Sequence, residues 1–107
     1  MQPNIQVGTV EGTGAAINIE LGFEPDWIEV QNIDGNAAGK WSSNMPAASM
    51  VKRTAGTFSK PTTNGISPYA GVRGTAAKGF TIGADADLNV DGETLVYVAM
   101  RSGAGAQ

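Results

Sequence analysis

The sequence predicts an all-β fold: a small single-domain β-sandwich or barrel, jelly-roll-like, with a long irregular excursion at residues 45–79. Three observations predict it. Apolar residues recur at every second position in several short runs, the spacing that buries one face of a strand. No 3.6-residue periodicity persists beyond two turns, so no long helix is expected. Gly, Asp, Asn and Pro punctuate the runs at turn spacing. With 107 residues the chain can hold one modest core.

Ile5, Val7 and Thr9 alternate with polar neighbours and predict a first strand, ending at Glu11-Gly12-Thr13-Gly14. Ala15, Ile17, Ile19 and Leu21 repeat the alternation in a second, which the Gly-rich turn would join to the first as a hairpin. Phe23-Glu24-Pro25-Asp26 is a turn, because Pro fixes its own φ and restricts the residue before it. Residues 27–33 form a third strand, with Trp27, Glu29, Gln31 and Ile33 on one face and Ile28, Val30 and Asn32 on the other. Asp34-Gly35-Asn36 turns the chain again, and a short fourth strand at 40–44 carries Trp41.

From residue 45 to 79 the character changes. Pro46, Pro61 and Pro68 appear among glycines, bulky apolar residues are sparse, and only short strands near 49–54, 56–59 and 63–67 are expected. A stretch of this length with weak structural signals is usually functional or ordered by a partner. Phe80 and Ile82 then mark a short strand, and Asp91-Gly92 a turn. Residues 94–101, TLVYVAMR, are apolar on both faces, which predicts the central strand of the fold, covered on both sides. The β-domain is expected to run over residues 1–101, and the tail 102–107, SGAGAQ, to be flexible because it has nothing to bury.

Composition narrows the chemistry. The chain has no histidine, the commonest general base and metal ligand, and no cysteine, so neither a Ser-His-Asp nor a Cys-His system can be built. No constellation of Lys or carboxylates replaces them, and no enzymatic activity, cofactor or metal is expected. No window approaches the ~20 apolar residues of a membrane span, and the opening stretch MQPNIQVGTVEG lacks the basic head and apolar core of a signal peptide. Asp87-Leu88-Asn89-Val90-Asp91-Gly92 matches the first six positions of a calcium loop, but the twelfth, where a bidentate Glu is required, is Val98. A polar hairpin loop is the simpler reading.

Charge is segregated along the chain. Residues 1–34 hold six acids and no base, residues 35–84 six bases and no acid, and residues 85–107 four acids and Arg101, for a net charge of −3. Either acidic strands and basic loops neutralise each other within the fold, or the basic excursion lies on an acidic neighbour. Dispersed cations without clustered aromatic residues make a poor phosphate footprint, so no nucleic-acid partner is expected. The candidate contact residues are Lys52, Arg53, Lys60, Arg73 and Lys78, with Tyr69 and Trp41 as apolar anchors.

Two stretches carry a resemblance. One is LGFEPDWIEV at 21–30, followed by Asp34-Gly35 and Trp41; the other is NGISPYA at 64–70, continuing into KGFTIGADADLNV at 78–90, Gly92 and the strand containing Tyr97. In this order they resemble the small structural proteins of tailed bacteriophages, particularly head decoration or cement proteins. The resemblance implies an all-β domain on the outer surface of the icosahedral virion, bound to the major capsid protein as a homo-oligomer, dimer or trimer. It carries over no active-site residue. A glycan- or receptor-binding β-domain of a tail fibre or head fibre is the alternative, favoured if Trp27 and Trp41 are exposed beside Asn or Asp.

Overall fold

The computed structural model describes residues 4–101, and these form nine β-strands and no helix. In chain order they are β1 (Asn4–Glu11), β2 (Ile17–Glu20), β3 (Trp27–Asn32), β4 (Ala37–Ser42), β5 (Val51–Thr54), β6 (Thr57–Ser59), β7 (Ile66–Tyr69), β8 (Gly79–Ile82) and β9 (Thr94–Arg101). They make two antiparallel sheets, one ordered β1-β9-β3-β4-β5-β6 and the other β2-β8-β7. The sheets pack face to face as a sandwich, the first of the two expected architectures. The residues of the proposed tail, 102–107, lie outside those described.

The core is the layer between the sheets. Ile28, Val30, Trp41, Leu95, Tyr97 and Ala99 enter it from the large sheet. Ile19, Ile66, Phe80 and Ile82 enter from the small one, and Met50 and Leu88 from the connections. Phe80 meets Tyr97 edge to face across the layer, with ring centroids 5.4 Å apart. In β3 the alternation is clean: Ile28, Val30 and Asn32 are buried while Trp27, Glu29 and Gln31 face out.

The first two strands do not form a hairpin. β1 pairs with β9 in the large sheet and β2 with β8 in the small one. The Gly-rich turn between them carries the chain from one layer to the other. It is held there by the buried side chain of Asn89, whose Oδ1 accepts from the N–H groups of Thr13 and Gly14. β4 begins three residues earlier than expected, because its core positions are the small residues Ala37 and Gly39 as well as Trp41. A Cβ built on Gly39 would lie 2.6 Å from the Met50 sulfur. Gly39→Ala is therefore expected to cost about 1–3 kcal/mol by overpacking, read from the midpoint of urea unfolding.

The middle of the chain contributes strands to both sheets. β5 and β6 extend the large sheet through a turn at Ala55-Gly56, where both residues have positive φ, as a two-residue hairpin of right-handed twist requires. β7 is an edge of the small sheet, where Pro68 is tolerated because no donor is needed on the outer side. Met50 and Ile66 belong to the core. Residues 45–79 are thus built into both sheets, with irregular backbone confined to the connections.

Candidate interaction surface

Strand alternation and register place one face of the large sheet outward, and its cross-strand rows can be followed residue by residue. Ile5, Met100, Trp27 and Ser42 form one row; Val7, Val98, Glu29, Lys40 and Val51 the next; Thr9, Val96, Gln31, Ala38, Arg53 and Phe58 the third. The small sheet covers the opposite face only. The expectation that β9 is covered on both sides is therefore corrected. It is central within its sheet, between β1 and β3, and Leu95, Tyr97 and Ala99 are buried, but Val96, Val98 and Met100 remain partly open.

Large apolar side chains are exposed along this face: Val7 is 62% accessible, Phe58 71% and Trp27 36%, with Ile5 beside Val7. The Trp27 indole N–H donates to Glu29 Oε2 at 3.0 Å, fixing the ring two residues along the same face. Three concavities open here. An open cleft of about 530 Å³ lies by Ile5, Trp27, Met100, Asp26, Ser43 and Asn44. A second, of about 240 Å³, lies between Glu29, Lys40, Arg53 and Val98. A third, of about 160 Å³, is lined by Val51, Arg53 and Phe58. The face is thus apolar at both ends, with Glu29, Lys40 and Arg53 between them.

The sequence-predicted contact residues do not gather on one face. Arg53 points outward beside Phe58. Lys52, its neighbour, points inward, where its ammonium lies 2.9 Å from Asp85 and 2.7 Å from Asp87. Only 12% of the Lys52 side chain and 8% of the Asp85 side chain is accessible. Burial alone would lower the Lys52 pKa, but hydrogen bonds and attraction from Asp87 and Asp85 outweigh it and raise the value above the usual 10.5. Lys52 is therefore corrected from a surface contact to an internal ion pair, joining the basic middle of the chain to its acidic end. Trp41 is corrected too: it is buried, and its indole N–H donates to the Pro46 carbonyl at 3.0 Å. Lys60 is exposed after β6, Arg73 and Lys78 in the β7–β8 connection, and Tyr69 is half-buried at the end of β7.

The calcium-like segment is engaged elsewhere. Asp87 binds Lys52, and Asp85 Oδ1 accepts from the N–H groups of Asp87 and Leu88. Asn89 Nδ2 donates to the carbonyls of Ala15 and Gly83 at 2.7 and 3.0 Å. Asn32, also buried, donates to the Leu88 carbonyl and to Glu93 Oε1 while its Oδ1 accepts from Asp34 and Gly35. The two asparagines staple the loop before β9 to both sheets. Among the described residues no group of three or more His, Cys, Asp or Glu is arranged to hold a metal ion.

Sequence reasoning missed Ile5, Val7, Trp27 and Phe58 as a surface. The available signal was β9 itself, because a strand apolar on both faces marks either a covered sheet or an uncovered binding face. No family model matches this chain, and no curated protein or solved structure is significantly similar to it.

Proposed function

We propose that this protein is a non-catalytic head decoration, or cement, protein of a tailed bacteriophage, bound through the outer face of its large sheet to the major capsid protein. The observation that carries the reading is that face. Val7 and Trp27 are exposed on it beside Val98 and Met100, and Phe58 is exposed at its far end beside Arg53. Large exposed apolar patches mark interaction sites. The capsid as partner rests on the sequence resemblance, and the chain offers a binding surface without the histidine or cysteine of the commonest catalytic systems. Many identical copies on a symmetric lattice make a modest contact effective through avidity. Binding to the assembled lattice but not to free subunits stabilises the head by linkage.

The cations suited to an acidic partner on this face are Arg53 and Lys40, not Lys52. The double variant Arg53→Glu/Phe58→Ser changes two exposed side chains. Its unfolding free energy is expected to stay within about 0.5 kcal/mol of the parent. Its affinity for purified heads is expected to fall about 30-fold, equivalent to about 2 kcal/mol. Unchanged occupancy on heads lacking the native protein contradicts the reading.

One observation favours a second reading, a glycan-binding fibre domain: Trp27 lines an open cleft together with Asp26, Ser43 and Asn44. Burial of Trp41 removes the other aromatic platform that this reading needs. Retention of the isolated domain by immobilised host-surface glycans, abolished by Trp27→Ala, would favour the fibre reading over the capsid one.

A further inference from the structure

The large sheet ends in a long edge whose only charge is at its last residue. Exposed edges are normally blunted by shortness, proline or charge. Among the four edge strands, β6 has three residues, β7 carries Pro68, and β2 has four residues ending in Glu20. β1 has eight residues, NIQVGTVE, with no charge before Glu11. Among the described residues no strand pairs with its outer side.

The hydrogen-bond pattern identifies the groups left over. Gly12 N–H donates to the Glu93 carbonyl, just beyond the Glu11–Thr94 pair, whereas the N–H groups of Asp26 and Ile33 meet the carbonyls of Met100 and Thr94 from the β3 side of β9. In an antiparallel ladder the bonding direction alternates residue by residue. Asn4, Gln6, Gly8 and Val10 therefore bond to β9, and Ile5, Val7 and Thr9 turn their N–H and C=O groups away from the sheet.

We infer that this edge pairs with the same edge of a second copy, antiparallel about a two-fold axis at Val7, joining two six-stranded sheets into one. Val7 then faces Val7 of the second copy, Ile5 faces Thr9, and the three outward residues of each strand complete their backbone hydrogen bonds. The register suits a second copy in particular. β-branched residues meet β-branched residues on the outer face. The two Glu11 carboxylates end up at opposite ends of the pair, beyond the ~10 Å over which exposed charges repel. The exposed Ile5 and Val7 side chains of the two copies become one apolar strip at the centre of the pair, and the dimer presents both outer faces side by side. The pairing does not depend on what those faces bind.

The test uses the isolated protein, without capsids, so its outcome bears on the pairing alone. Sedimentation equilibrium is expected to give twice the 11.0 kDa chain mass, and a monomer at every concentration up to ~1 mM overturns the inference. Val7→Lys and Val7→Glu place like charges on the axis at a solvent-exposed position. Each alone is expected to sediment as a monomer with the parent circular dichroism spectrum, and an equimolar mixture to recover the dimer. A dimer that persists in both single variants overturns the inference. Amide exchange tests it without substitution. The Ile5, Val7 and Thr9 amides are expected to gain protection as protein concentration rises, while those of Gln6 and Gly8 stay protected throughout. Fast exchange of the Val7 amide at all concentrations contradicts the pairing.

Discussion

Asn89→Asp is expected to destabilise the protein by about 4 kcal/mol, a large share of the ~5–10 kcal/mol that holds a domain of this size folded. The native amide is fully used: its oxygen accepts from Thr13 and Gly14, and its nitrogen donates to Ala15 and Gly83. Aspartate has nearly the same shape but no donor. It would set a buried carboxylate against two carbonyl oxygens and force either desolvation of the charge or uptake of a proton. Asn89→Ala leaves the same backbone groups unsatisfied without adding a charge, and is expected to cost about 3 kcal/mol. Urea unfolding of both variants at neutral pH checks the order, Asp worse than Ala. A variant that lost stability only through a missing metal ligand would respond to added calcium, and neither of these is expected to.

Lys52→Met is expected to cost about 3 kcal/mol, because it strands the largely buried Asp85 carboxylate without its counter-ion. The second substitution Asp85→Asn is expected to recover most of the loss. It removes the stranded charge while keeping an oxygen for the N–H groups of Asp87 and Leu88. The double-mutant cycle thus separates the ion pair from the loop it caps. Lys52→Glu, which brings a third carboxylate to Asp85 and Asp87, is expected to be worse than Lys52→Met. The same group sets a pH dependence. The folded-state pKa of Lys52 lies above its unfolded value, so its stabilisation is complete below about 10.5 and is lost as pH rises through the folded value. Stability of the parent is therefore expected to fall above pH ~10.5 more steeply than that of the Lys52→Met/Asp85→Asn variant.

These two residues show how far the sequence could be read. The period of two in β3 sorted its residues into two faces but did not say which is buried, because Trp27 on one competes with Ile28 and Val30 on the other; the structure buries Ile28, Val30 and Asn32. β4 was harder, since two of its three buried positions are Ala37 and Gly39, whose size and not polarity suits them to the core. Asn89 was legible as part of a polar turn. Its role was not, because three of its four partners are 74 to 76 residues away along the chain. Charge segregation pointed to neutralisation within the fold or between molecules, and for Lys52 the first applies. Adjacent residues of one strand face opposite ways, so Lys52 and Arg53 could not serve the same surface. The apolar outer row of β9 was visible in the sequence. Whether a third layer covers such a row depends on where the rest of the chain is laid, which no local pattern encodes.

The central claim is that the outer face of the large sheet docks on an ordered protein array. A cryo-electron density map of phage heads saturated with this protein tests it most directly. The account predicts density on the outer capsid surface, with Val7, Trp27, Arg53 and Phe58 turned toward the major capsid protein. A map in which those four side chains face solvent while another surface of the sandwich meets the capsid would contradict it.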